Sequence, residues 1–257
     1  VDEPSIGAVV PLAVLVVLVG GGVWTLVVQR LRGRAPPSGL DAIAAFGLLM
    51  WTASAVSLPL LRARSGDWLG EPDLLVAIAG TASGALASAA FCLARAPRQW
   101  LGIQGAAPRW WAAAVAVVPA FLLASAGWVT LLEAIGVAVE PQQLVGLVEA
   151  TDQPAALALA LVYGAVGAPL TEELLFRGLL LGVLRERLGA RTAVLLQGAL
   201  FGVIHGTDPA AIVPLAGLGV VLGALRVRSG SLGPSVLTHA VNNAVALGLA
   251  VAAPELL

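Results

Sequence analysis

Eight times along this chain an apolar run of about twenty residues recurs, at roughly 7–29, 40–61, 73–94, 110–135, 154–184, 191–207, 209–227 and 232–253. A helix rises 1.5 Å per residue, so about twenty residues cross the roughly 30 Å hydrocarbon core of a bilayer. In hydrocarbon each backbone amide must bond within its own segment, which leaves helices as the way for such runs to cross. The expected fold is therefore all-α, a polytopic transmembrane bundle of about eight spans forming a single membrane domain over residues 1–257. Composition agrees with this. Of the residues 59% are apolar and 11% charged, where a soluble domain carries about a quarter charged residues. The sixth and seventh runs are short and meet at "GTDP", residues 206–209, so one of them need not cross fully. The first run follows an acidic start, "VDEP", and is longer than a signal peptide's apolar region, so it reads as a retained span.

Orientation follows from the arginines, because all 14 basic residues are Arg. Arg30, Arg32, Arg34, Arg95, Arg98, Arg109, Arg185, Arg187, Arg191, Arg226 and Arg228 fall in or beside alternate connections, and only Arg62 and Arg64 beside the others. Positive charge stays on the cytoplasmic side, so both termini are expected outside. The acidic loop at 140–153 is the longest outer connection. The all-arginine, alanine-rich chain reads as a multi-pass protein of a bacterial plasma membrane, with the lipid bilayer as its first partner. A net charge of -1 and the lack of any basic run argue against a nucleic-acid partner. The single cysteine, Cys92, excludes an intramolecular disulfide framework and any CxxC metal site. Two GxxxG pairs, Gly80/Gly84 and Gly219/Gly223, are expected to pack helices inside the bundle.

Against that background a few polar residues stand out. An ionised side chain at mid-bilayer costs about 2.5–3.5 kcal/mol even on the lenient insertion scale, so such residues face a protein interior or a wet cavity. "PLTEELLFRG", residues 169–178, holds Glu172, Glu173 and Arg177. "GALFGVIHG" holds Phe201 and His205, and "SVLTHAVNNAVA" holds His239, Asn242 and Asn243. Elsewhere Glu133, near an outer end, is the main strongly polar side chain in a span. Glu173 and Arg177 are four apart with the acid first, the favourable order for an ion pair along a helix. Glu172 points about 100° away and is left over. His239 and Asn243, also four apart, can face one point, as can Phe201 and His205. Pro169 lacks the amide that would bond to the Ala165 carbonyl, so the helix is expected to bend just before Glu172.

Depth brings the residues together. Counted from the nearest inner arginine on each helix, Glu172 is 13 residues from Arg185, His205 is 14 from Arg191, His239 is 11 from Arg228 and Asn243 is 15. These are about 17–23 Å, one level on three helices. A glutamate beside histidine can take a proton from water, and histidine with an amide side chain can stabilise the oxyanion formed when that water attacks a peptide carbonyl. Glu172, His205 and His239 are equally the donors a zinc ion would take. Spacing alone does not choose between a metal-free and a zinc-assisted reaction.

The three segments "EELLFR", "FGVIH" and "HAVNN" resemble, in order, the motifs of the CPBP family, which comprises CAAX prenyl endopeptidases and bacteriocin-processing enzymes and is also called Abi. The resemblance covers about residues 154–253. It implies an intramembrane endopeptidase, often labelled a metalloprotease, acting on a membrane-associated protein or peptide. It implies Glu172 as the water-activating residue with His205 as its partner, His239 and Asn243 on the oxyanion side, and Glu173 and Arg177 as support. Two other classes fit the same residues: a non-catalytic scaffold, as in bacteriocin self-immunity, and a proton-coupled carrier, although no inverted repeat favours the carrier.

Overall fold

A computed structural model describes residues 36–65, 74–137, 139, 154–205 and 209–252. The expected first span, the 140–153 loop and most of the "GTDP" turn lie outside the described residues. Those that are described form helices and no strand. Helix α1 is Gly39–Ser65, α2 is Leu74–Arg95, α3 is the short Arg98–Leu101, and α4 is Pro108–Ala134. Then come α5 at 154–188 and α6 at 190–205, parted at Gly189, whose φ of 75° and ψ of 168° break what would be one 52-residue helix. Helix α7 is Pro209–Ser229 and α8 is Gly233–Ala252. Among the described residues, five helical stretches are long and apolar enough to cross a bilayer, the 52-residue one counted once. At twenty residues α8 is also about 30 Å long. The protein is an integral membrane helix bundle.

Helix α5 lies at the centre. Seven consecutive residues, Glu173 to Leu179, are buried, so this helix has no lipid-facing stripe there and can hold polar groups on any side. Leu174, Leu175, Phe176 and Leu179 join Phe91 and Cys92 of α2, Phe201 of α6, and Leu218 and Leu222 of α7 in the main core. Two stretches of α5 are wound more widely than an α-helix: Tyr163–Gly167 and Leu174–Leu180. In the first, Ala168 N–H bonds five residues back to Tyr163 O. In that register the next donor would be residue 169, serving Gly164 O. Residue 169 is proline and has no N–H. The carbonyl released is therefore Gly164's rather than the Ala165 carbonyl expected for a regular helix, and the helix widens there.

Glycines set the helix spacing. A Cβ on Gly219 of α7 would lie 2.7 Å from Gly198 Cα of α6, and one on Gly202 would lie 2.5 Å from Ile212 O. Backbones in such contact cannot admit even a methyl group. Gly223 abuts the Gln197 side chain, while Gly80 and Gly84 face Ser57, Leu49 and Ala53 of α1. Both GxxxG pairs thus pack inside the chain. At the arginine-rich end, Arg95 Nε donates to Asp41 Oδ1 at 2.7 Å, tying α2 to the start of α1. Leu232 N–H bonds Gly102 O at 2.8 Å, and Arg226 Nη2 bonds Trp100 O at 2.9 Å, fastening the α7–α8 turn to α3.

The close crossing of α6 and α7 yields a paired test. Gly219→Ala should lower the detergent melting temperature, by about 2–4 °C for each kcal/mol lost, because its methyl meets backbone. Gly217→Ala, whose nearest neighbour would be Phe121 Cε2 at 3.9 Å, should leave it unchanged or raise it through better helix propensity. Equal responses of the two variants would contradict the packing described.

Candidate active site

Glu172 and Glu173 are adjacent on α5 yet face different partners. Glu173 is fully buried, and its Oε1 accepts from Arg177 Nη1 at 2.6 Å and from His239 Nδ1 of α8 at 3.0 Å. Arg177, equally buried, also donates from Nη2 to Gly219 O at 3.4 Å. Its guanidinium carbon lies 4.4 Å from the centre of the Phe201 ring and 5.7 Å from that of Phe176. Cation and acid therefore compensate each other's burial, with aromatic faces around the cation. The expected ion pair forms, and it has a third member, His239, that the spacing along α5 could not reveal.

Glu172 turns to the other side. Its Oε2 lies 3.5 Å from His205 Nε2 and 3.8 Å from His239 Nε2. Three residues from three helices thus meet at one level, as the depth count requires. The two imidazoles are fixed by their other nitrogens. His205 Nδ1 lies 2.8 Å from Phe201 O, a carbonyl that can only accept, so Nδ1 carries the proton there. His239 Nδ1 faces the Glu173 carboxylate and donates likewise. Each ring consequently turns Nε2 toward Glu172, and the Nε2 atoms are where protons can be gained or lost.

Exposure divides the site. The Glu172 and His205 side chains keep 25% and 31% of their accessible surface, against 4% for His239 and none for Glu173 and Arg177. The site is open on the Glu172–His205 side and closed on the opposite side. Phe201 builds that back wall, its ring 5.1 Å from Phe176 edge-on, 4.3 Å from His205 and 5.7 Å from His239. Asn243, one turn beyond His239, donates from Nδ2 to Gly164 O at 3.0 Å. That is the carbonyl Pro169 leaves without an amide, so Asn243 binds α8 to the widened turn of α5. Its Nδ2 keeps a second hydrogen.

Two side chains escape a reading of spacing. Glu173 serves His239 as well as Arg177, and Gln197 of α6, fully buried, donates from Nε2 to Gly219 O at 2.7 Å. Gln197 could have been noticed as an amide inside an otherwise apolar run, but its neutral side chain drew no attention beside the charges. As for a metal, Glu172 Oε2 and the two Nε2 atoms are zinc-type donors. Among the described residues, however, no group of three His, Cys, Asp or Glu side chains is gathered closely enough to hold an ion.

Removing one member of a buried pair leaves the other charge uncompensated, at a cost of about 3–5 kcal/mol. Glu173→Gln should therefore destabilise the protein strongly in thermal or denaturant unfolding, and Glu172→Gln, part-exposed and 3.5 Å or more from either imidazole, only slightly. Similar losses for both would refute the division of labour between the two acids.

No curated protein and no solved structure matches the chain. Residues 154–245 match the family described as type II CAAX prenyl endopeptidase Rce1-like, which implies a protease acting within the membrane. That segment contains all three motifs and every residue of the site, from the Gly164 carbonyl to Asn243. That match, confined to residues 154–245, supports membership of the CPBP family of membrane proteins.

Proposed function

We propose that the protein hydrolyses a peptide bond of a membrane-associated protein or peptide, with Glu172 and His205 activating water and His239 and Asn243 receiving the oxyanion. The observation that carries this reading is the Glu172 carboxylate facing two oriented imidazoles, 3.5 and 3.8 Å away, on the accessible side of the site. A carboxylate so placed is a general base for a water bound beside it and His205 on the open side of the site.

The reaction balances with these groups alone. Glu172 takes one proton of the water while its oxygen bonds to the scissile carbonyl carbon, and the carbonyl π pair moves to oxygen. His239, protonated at Nε2 as well as Nδ1, donates to that oxyanion, and the second hydrogen of Asn243 Nδ2 supports it. Collapse of the intermediate breaks the C–N bond, and the departing amine takes the proton held by Glu172. One hydrogen of the water ends on the new carboxyl group and the other on the amine. Charge favours this assignment. With His239 protonated, Glu172, Glu173, Arg177 and His239 sum to zero, the state that burial in hydrocarbon penalises least. Glu173, bonded to Nδ1, holds the imidazolium in place.

The steps use this chain's own residues alone; Glu172 and the two Nε2 atoms, 3.5 and 3.8 Å from its Oε2, are the donors that would hold a zinc ion, which would supply Lewis-acid activation of the water. A non-catalytic scaffold would have no need of a part-exposed acid facing two oriented histidines, and a carrier would need a relay continuing across the membrane.

Activity can be measured in proteoliposomes with a quenched fluorescent peptide ending in a farnesylated CAAX sequence, beside its unprenylated counterpart. Glu172→Gln should lose about 10²–10⁴-fold in kcat, the usual worth of a general base, while melting close to the parent protein. Normal cleavage by that variant would sink the proposal. Purified protein should contain no stoichiometric metal and should keep its activity in 1,10-phenanthroline. One zinc per chain together with loss of cleavage on chelation would reverse the metal-free assignment.

A further inference from the structure

Gln197 lies outside the three motifs and does not touch Glu172, His205 or His239 in any bond described above. It is nevertheless among the most deeply buried polar side chains, with no accessible surface, on a helix whose outer face exposes Leu195, Leu200 and Val203. An amide at that depth costs free energy unless both its polar ends are satisfied. Its Nε2 donates to Gly219 O at 2.7 Å and to Val194 O at 3.1 Å. Its Oε1 is buried without a hydrogen-bond partner. A leucine would fill the space without leaving an unsatisfied oxygen, so packing does not account for the residue.

The acceptor explains more. Gly219 O receives Gln197 Nε2 and also, at 3.4 Å, Arg177 Nη2. Gln197 holds the short bond and Arg177 the long one. Arg177 in turn binds Glu173 Oε1 at 2.6 Å, and that same oxygen receives His239 Nδ1 at 3.0 Å. A continuous route thus runs from Gln197 through Gly219 O, Arg177 and Glu173 to His239. The route is not saturated, because Arg177 Nε and Glu173 Oε2 are buried without partners. The guanidinium is consequently free to redistribute itself between Gly219 O and Glu173.

We infer that Gln197 is a positioning residue for His239. By occupying Gly219 O it keeps Arg177 committed to Glu173, and so fixes the charge and direction of the carboxylate oxygen that orients the imidazole. Without the amide donor, Arg177 Nη2 closes on Gly219 O, Nη1 draws off Glu173, and the Glu173–His239 bond changes. The glycines make the arrangement accessible. Gly223 leaves room for the Gln197 side chain, and Gly219 sits against Gly198, bringing the carbonyl to α6. The bond itself rests on geometry alone. Its consequence for turnover rests on the hydrolytic reading above.

The chain has only two histidines, both in the site, so untagged protein labelled with 15N-histidine reports directly on both rings, and a His205→Asn sample assigns them. Gln197→Met keeps the size and removes the donor. It should shift the His239 ring resonances, leave those of His205 in place, and leave the melting temperature close to the parent's. With the farnesylated peptide, kcat should fall about ten- to a hundredfold with KM unchanged, as for a small misplacement of a reacting group. Gln197→Glu, also of the same size, should shift the same His239 signals by attracting Arg177 directly. Unaltered His239 signals in either folded variant overturn the inference, whatever the activity. If both variants fail to fold, a purely structural joint between α6 and α7 is the full account, and the inference is equally overturned. If the parent protein does not cleave the peptide while the His239 signals shift as described, the hydrolytic reading fails and the positioning role stands.

Discussion

The bond between Glu173 and Arg177 is the constraint on which the other features turn. A single ionised group in this bundle would be excluded by its desolvation cost, and two at 2.6 Å largely cancel each other's field. The pair does more than tolerate burial. Because Glu173 Oε1 has a second donor in His239, the ion pair fixes a histidine on a different helix. Because Arg177 also reaches Gly219 O, it draws in the backbone of a third. A compensated charge pair thus becomes the point through which α5, α7 and α8 are registered against one another, at the level where the accessible acid and histidines meet.

That registration requires helices closer together than ordinary side chains allow. Gly198, Gly202 and Gly219 let α6 and α7 touch through their backbones, which places His205 at one end of the contact and exposes a carbonyl to Arg177 and Gln197 along it. On the other side of α5, Pro169 has a comparable effect by subtraction. The missing amide and the widened turn leave Gly164 O to be met by Asn243. Both devices use backbone carbonyls as acceptors for side chains from another helix. In hydrocarbon such unmatched backbone groups persist only where protein covers them, so the polar centre and the irregular backbone stabilise each other.

What the sequence discloses follows from the same physics. The constant rise of a helix made depth legible, and Glu172, His205 and His239 do converge from three helices. Spacing of four residues foretold the Glu173–Arg177 bond and the inward packing of the GxxxG glycines. Spacing could not disclose a bond between helices, which is why Glu173's hold on His239 and Asn243's hold on Gly164 O had to be seen. It also assumes a regular helix. In a regular helix Pro169 would release the Ala165 carbonyl, and the change of register at Tyr163–Gly167 moves the effect one residue earlier. Gln197 is hidden for a different reason: insertion cost singles out charges, and a lone neutral amide in an apolar run carries no sign of the carbonyl it binds on another helix.

The two adjacent acids show how one peptide can present two environments. Successive positions on a helix differ by about 100°, enough for Glu172 to meet the part-exposed His205 while Glu173 is sealed behind Phe176 and Phe201. Under the proposed reaction these environments have opposite requirements. The residue that exchanges protons with water must be reachable and only loosely held, and Glu172 keeps a quarter of its surface, with its nearest imidazole nitrogens 3.5 and 3.8 Å away. The residue that holds an imidazolium steady must keep its charge throughout, and Glu173 is fixed by a guanidinium and shut off from water. Exchanging the two functions would place the mobile proton where no water comes and the permanent charge where solvent would screen it. The order of the acids in "EELLFR" is therefore set by which face of α5 opens to the site, and the arginine four residues on determines which acid is the closed one.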